Sequence, residues 1–422
     1  MFLGLADNIF VDTPGPGNTG AAGWVPQSGG VLSTVSVDWI TGRAWNNGIT
    51  TPGALFACAR ATPVAAYYQN ADLTLSTFAA NVLRYGTNGL LIEGTKTNLC
   101  LQSQTLDNGA WTPTAVTISP NVIAAPDGTL TADKLQEDNT NSIHKLQPTA
   151  SFAAAVAQIT HSVYAKAAER TWIIVFDKDN SNVGAWFNLV GSGSVGTTQG
   201  ANQGATITAL ADGWYRCTIT FTVGAGATAG VAIAVATADN VSTYTGTTGS
   251  GAYFWGAQAE QPVVASSYIP TTTVAVTRAN ELITANSVAF INATAGTVYA
   301  VFNVSNSGSP RILGRNSGGV SVLYLNGLTN FADFPTANNL QAANTYTAGT
   351  NGKGAASYAA TARSIVLNGG TVAVDNVNGI GTFDSFQLGA DVGGGNYLNG
   401  YLRNISYWNT RLSDAAIQTL TT

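Results

Sequence analysis

The chain has 422 residues and a formal net charge of −5, with 9% of residues charged. That length exceeds one ordinary core and predicts two or three domains. The low charge, far under the roughly 25% of a typical soluble protein, leaves no basic footprint for nucleic acid. Nine Trp, 15 Tyr and 15 Phe exclude a disordered chain.

The first residues, MFLGLADNIF, lack a basic segment followed by a long apolar one, so no signal peptide is expected. No run approaches the ~20 apolar residues of a membrane-spanning helix, and no membrane insertion is expected. Cys58, Cys100 and Cys217 are widely spaced, with no C-x-x-C. They read as buried free thiols of a chain made in a reducing cytoplasm. A Cys58–Cys100 disulfide stays open at this point.

Residues 1–96 are broken by turn signals at Thr13-Pro-Gly-Pro-Gly-Asn-Thr-Gly, Ser28-Gly-Gly, Asn46-Asn-Gly and Pro52-Gly. They leave room for short strands at 31–40 and 23–27. Such an arm cannot bury much by itself, and it must pack on a partner or on the later domains. Leu90, Leu91 and Ile92 form a short apolar strand, and Arg84 and Glu93 are candidates for one structural ion pair at the domain entrance.

Residues 97–272 predict an antiparallel sandwich, with strands around Trp111, 132–135, 161–166, 171–176, 183–189 and 229–236. In 214–223, WYRCTITFTV, Tyr215, Cys217, Ile219 and Phe221 alternate with Trp214, Arg216 and threonines, so the Cys217 thiol points into a core. Ala252, Phe254, Gly256 and Gln258 alternate with Tyr253, Trp255, Ala257 and Ala259, as in a strand covered on both faces. Pro262 and Pro270 end that ladder, and Thr271–Thr273 read as an extended linker. Glu260 and Arg278 read as structural charges at a domain joint.

Residues 283–422 predict a second sandwich. Val298, Ala300, Phe302 and Val304 alternate in one strand, and Asn368-Gly-Gly joins 364–367 to 371–374 as a hairpin. Phe383 to Leu388 and Asn399 to Asn409 supply further strands. Ser413 is placed to cap one short C-terminal helix, 414–420, whose Asp414 suits the helix dipole.

Three stretches carry a family resemblance. One is Gly256-Ala-Gln-Ala-Glu followed by Ser267-Tyr-Ile-Pro-Thr-Thr and Thr277-Arg-Ala. A second is Ala79-Ala-Asn with Arg84-Tyr85, then Gly89-Leu-Leu-Ile-Glu-Gly and Thr97-Asn-Leu, although the opening departs as Cys58-Ala-Arg-Ala. The third comprises Gly184-Ala-Trp-Phe-Asn-Leu and Asp212-Gly-Trp-Tyr-Arg. Together they resemble a family of tailed-bacteriophage virion structural proteins in which a carbohydrate-binding-like jelly roll precedes a concanavalin A-like sandwich of laminin G type. From Asn399 through Arg411-Leu-Ser-Asp-Ala-Ala-Ile the chain is similar to the closing strand and helix of laminin G domains.

The resemblance implies an all-β protein. It would comprise an irregular anchoring arm with clamp strands (1–96), a jelly roll (97–272), a concanavalin-like sandwich (283–422) and one short C-terminal helix. It implies a place on the virion surface, other virion proteins as partners, a homotrimer, and contact with host-surface glycan. The leading expectation is a tail-fibre or tail-tip adhesin. A capsid decoration or head-fibre protein is the alternative, and a polysaccharide-degrading enzyme is the third reading.

Sugar sites pair an aromatic face with hydrogen-bonding side chains, which makes Trp172, Trp186, Trp214 and Trp408 the carbohydrate-binding candidates. Each competes with packing inside a sheet or at a subunit interface. No cofactor is expected. Calcium is the alternative at Asp391, Asn396 and Asn399, which sit around a Gly-rich loop. The loop Asp177-Lys-Asp-Asn-Ser-Asn fails the EF-hand pattern, since Asn182 replaces Gly and Asn188 replaces the closing Glu. No catalytic residue is assigned. The glutamates, Glu93, Glu137, Glu169, Glu260 and Glu281, form no glycosidase motif, and nothing requires Asp333 and Asp384 to meet. His144 and His161 lie in no nucleophile context.

Overall fold

A computed structural model describes residues 27–28, 31–46, 49–62, 66–70, 72–154, 158–180, 183–200, 202–224, 227–261, 265–304, 309–314, 321–326, 330–333, 340–377, 383–391 and 395–422. The turn at 13–20, most of the strand expected at 23–27, the second and third residues of the turns at Ser28 and Asn46, Pro262, Ser181, Asn182 and Val392 to Gly394 lie outside these residues, as does the side chain of Asp333. The regular secondary structure of the described chain is almost all strand, in two compact units. One combines residues up to Ala61 with Asn81–Gly94 and Asn280–Thr422. The other combines Thr62–Ala80 with Thr95–Ala279.

Among the described residues, the inserted unit holds two six-stranded antiparallel sheets. The first runs Trp111–Thr114, His144–Pro148, Val231–Ala236, Trp172–Asp177, Gly184–Asn188, Ser194–Gln199. The second runs Val116–Ile123, Ala132–Glu137, Gly251–Glu260, Gln158–Ala167, Trp214–Thr222, Asn202–Ala209. Residues of alternate parity meet in the core between them, where Val163, Ile173, Val175, Phe187, Cys217, Ile219, Phe221 and Phe254 are buried. The alternation expected of 214–223 is present, and the Cys217 thiol is in the core. In the Gly251–Glu260 strand the register slips opposite Ser162 and Tyr164, and Gly256 takes φ +65 at that bulge. A Cβ there would sit 2.9 Å from the Tyr164 ring.

The other unit is also a sandwich. In its ten-stranded sheet the central Gly400–Trp408 strand pairs with Gly296–Val304, Val35–Asp38 and Gly89–Ile92. Its seven-stranded sheet ends at Leu282–Ala285 and Phe56–Ala59. Val298, Ala300, Phe302, Leu323, Leu325 and Ile405 lie in the core. The hairpin between Ala362–Leu367 and Ala373–Asp375 forms as expected. So does the helix Asp414–Thr421, with the Ser413 hydroxyl accepting from the Ala416 N–H at 3.2 Å.

The segments expected as an arm are strands of both sheets of this second sandwich. Val35, Val37, Ala44 and Phe56 are buried there, which supplies the apolar cover that such short segments need. The hairpin Ala66–Gln69 and Leu75–Phe78 belongs instead to the inserted unit. Thr271, expected in an extended linker, is buried and pinned, its hydroxyl donating to the Cys100 carbonyl.

Two nodes of buried charge contrast with each other. In the C-terminal sandwich Arg84 Nη2 lies 2.8 Å from Glu93 and 2.5 Å from Glu281, and Arg60 Nη1 lies 3.1 Å from Glu281. The expected Arg84–Glu93 pair is thus half of a four-residue net. In the inserted sandwich the Glu137 carboxylate accepts from Arg170, from the Tyr244 hydroxyl at 2.5 Å and from the Thr247 N–H at 2.7 Å.

Candidate functional site

Three of the four tryptophans singled out by sequence are enclosed, so they offer no ring face to a sugar. Trp408 lies on the outer side of its sheet, but Leu412, Ile417 and Leu420 at and within the C-terminal helix cover it. Trp186 packs with Ile174 and Phe176, and its Nε1 donates to the Val241 carbonyl at 3.1 Å. Trp214 is 2% exposed. Trp172 is half-buried, its ring against Gly196 and beside Asp239, whose carboxylate already accepts from the Thr197 N–H and hydroxyl.

The proposed calcium ligands are not brought together as a set. Asp391 accepts from Arg311 Nε at 2.7 Å and from Asn396 Nδ2 at 2.7 Å, so two donors already satisfy its oxygens. Asn399 faces elsewhere, with its Oδ1 accepting from the Gly94 N–H at 2.9 Å. Glu260 accepts from Ser266 and Gln258, and Arg278 donates to Ser267, which are structural roles for both. Cys58, Cys100 and Cys217 are free and buried. Burial pushes the Cys58 thiol up to about 11, with the Glu281 charge adding to the shift and Arg60 and Arg84 opposing it.

Trp214 nonetheless borders a recess among the described residues of the inserted sandwich. Three loops form it: Leu73–Leu75, the turn at 124–128, and the segment from Leu210 to Trp214. The turn follows from Pro126-Asp-Gly, with Gly128 at φ +81. Backbone bonds stitch the loops together. Ala211 N–H donates to the Leu73 carbonyl, Leu75 N–H to Pro126, Leu210 N–H to Trp214, and Trp214 Nε1 to the Ala124 carbonyl.

Two non-glycine residues at this rim are held in left-handed conformation, Leu73 at φ +67 and Asp212 at φ +56. For leucine this is sterically costly, and such residues concentrate where surrounding structure fixes a site. The recess encloses about 210 Å³.

Its chemistry is mixed. Leu73, Leu75, Ala125 and an edge of the Trp214 indole give it an apolar side. Behind that edge Tyr67, Tyr164, Trp255 and Tyr268 form one aromatic cluster, with Trp255 and Tyr268 centroids 4.6 Å apart. Asp127 is committed, accepting from the Thr129 N–H and hydroxyl and from the Tyr67 hydroxyl. Burial pushes the Tyr67 phenol up, and the Asp127 charge adds to that. Asp212 is exposed, and its carboxylate makes no hydrogen bond among the described residues. The site therefore offers an apolar wall, one open carboxylate and rigid backbone.

Sequence alone named Trp214 and the Asp212-Gly-Trp segment but not the hairpin loop at 72–74. Nothing in that loop's composition says which turn it meets.

No protein-family model matches the chain, and no curated protein matches it. Among solved structures it is similar to laminin G domains 4–5 of the mouse laminin α1 chain, at 11% identity and a TM-score of 0.20, over 77% of this chain and 91% of that one. It is also similar to a Bacteroides ovatus protein described as carbohydrate binding, at 10% identity and a TM-score of 0.25, over 67% and 80%. Scores this low carry no weight for fold or function, and the β-sandwich assignment rests on the strand pairing itself.

Proposed function

We propose that this protein is a non-enzymatic binding component of a tailed-bacteriophage virion, a tail-fibre or tail-tip adhesin that holds host-surface glycan in the three-loop recess. The recess carries the glycan part of the reading. A small polar-rimmed hollow with an indole edge and one unpaired carboxylate suits a sugar, whose ring has apolar C–H faces and outward hydroxyls. The virion part rests on the sequence resemblance around Gly256–Glu260, Ser267–Thr272 and Gly89–Gly94.

A glycan array probed with the full chain tests the first part. We expect binding that Asp212→Asn weakens about tenfold, as loss of a charged acceptor predicts. Asparagine tolerates the left-handed backbone, so this variant keeps the loop. A folded chain that binds no sugar sinks the reading. Immunogold labelling of whole virions tests the second part: label on the tail supports the adhesin, and label over the head replaces it with a decoration or head-fibre role.

A further inference from the structure

The recess is one end of a longer surface. Trp214 begins the Trp214–Thr222 strand, and on its outward face Arg216, Thr218 and Thr220 follow at every second residue, about 6–7 Å apart. One neighbouring strand extends this face sideways with exposed residues, and the other borders it with Ser162 and Tyr164, which are buried. Thr208 lies opposite Arg216 and Thr206 opposite Thr218, while Lys166, Tyr164 and Ser162 face Trp214, Arg216 and Thr218 from the other side. Thr206 and Thr208 are exposed, and Thr218 is half-buried. Among the described residues the hydroxyls of all three make no hydrogen bond.

Arg216 stands out on this face. Its guanidinium lies over the Tyr164 ring at 5.4 Å, and Nη2 donates to Ser162 Oγ at 3.0 Å. Nε is buried without a partner, and Nη1 makes no hydrogen bond among the described residues. A planar cation held flat by an aromatic ring is pre-organised for a carboxylate or sulfate. Lys166 adds a second cation with no ion-pair partner among the described residues. The nearby carboxylates are Asp127 and Asp212 at the recess and Glu260, which is buried and bonded to Ser266 and Gln258.

Building on the glycan reading of the recess, we propose that the ligand is a linear polysaccharide with acidic sugars, lying along the Trp214–Thr222 strand. A neutral sugar occupies the carboxylate-rimmed recess, and an acidic one sits against Arg216 with its hydroxyls on Thr206, Thr208 and Thr218. An acid at the recess itself would meet Asp212, so the charge pattern sets the order of neutral and acidic units as well as the class.

Hyaluronan oligosaccharides of graded length, which alternate neutral and acidic sugars, and the same chains with their carboxyls reduced, test this by calorimetry on the full protein. We expect the native chains to bind about tenfold or more tighter than the reduced ones. That advantage should grow with chain length and shrink as salt is added.

Arg216→Gln should abolish the difference between native and reduced chains. Thr206→Glu, at an exposed position where folding is not at stake, should reverse its sign. Equal binding of native and reduced chains overturns the inference, as does an undiminished difference in Arg216→Gln. Polyglutamate binding as tightly as hyaluronan would also overturn it, in favour of an acidic peptide. If reduced chains bind and native ones gain nothing, only this inference falls. If neither binds the folded protein, this inference falls too, and the glycan array alone decides the reading of the recess.

Discussion

Two buried-charge nodes, one in each sandwich, are satisfied in different ways. In the C-terminal one, Arg60, Arg84, Glu93 and Glu281 are buried and pair with one another, and they lie in sequence near the four points where the chain leaves or re-enters the unit. In the inserted one a buried carboxylate, Glu137, has a guanidinium partner that keeps 19% of its side chain exposed. Desolvation makes the first arrangement costly unless every partner is present. The second can replace a lost partner with solvent. The lesson is that a closed net fixes a chain crossing, whereas an open pair mainly tunes local stability.

The largest expected effect breaks the closed net. Glu281→Ala leaves two buried guanidinium groups short of a partner and should cost about 3–5 kcal/mol in chemical denaturation. Amide exchange should rise first in Gly89–Ile92 and Leu282–Ala285. A loss under about 1 kcal/mol would place that node with ordinary surface pairs.

Arg170→Ala should cost less, about 1.5–3 kcal/mol, the range for a charged hydrogen bond. Equal losses in the two variants would erase the distinction. The pair also has a pH signature. Burial alone would raise the Glu137 carboxyl, but the bonds from Arg170, Tyr244 and Thr247 outweigh it and hold it below the ordinary range. Its contribution is therefore present above the unfolded pKa near ~4.3 and is lost as pH falls through the lower folded value. Glu137→Gln should flatten stability across that acidic window in pH-dependent urea melts.

Ser413→Ala should cost about 1 kcal/mol by removing a helix cap, seen as a small shift of the urea midpoint. A last effect concerns the pH dependence at Asp133. Burial raises its carboxyl to about 6, against the N–H groups of Asn121 and Leu106, with the Asp107 charge adding to the rise. Here the native state binds the extra proton, so stability falls as pH rises from ~4 toward about 6. A carboxyl NMR titration should place its midpoint near about 6.

Where local pattern decides structure, sequence was enough. The period-two stripe of 214–222 settled a face and a buried thiol, Asn368-Gly-Gly settled a hairpin, and Ser413 settled a cap. Arg84 and Glu93, nine residues apart across a short strand, were legible as a pair, but Arg60 and Glu281 come from distant segments and no spacing links them. The tryptophans misled because strand parity gives only which side a ring takes. Whether a helix, as over Trp408, or a returning loop, as over Trp186, then covers that side depends on topology. The same limit hid the recess, which exists only where three loops meet.

The interleaving of the two units also governs how this protein is made. The Val35–Asp38 strand emerges early, yet it pairs with Gly400–Trp408, and Ser36 bonds Ser406 across a sequence separation of 370. A nascent chain leaving the ribosome can close the inserted sandwich once residue 279 has appeared. The first-made strands of the other sandwich can form local hairpins, as Val35–Asp38 does with Arg43–Asn46, but must wait for their late partner strand. Translation that stops short of Gly400 would therefore release a chain with one finished domain and a set of exposed β-edges, the species most prone to aggregate.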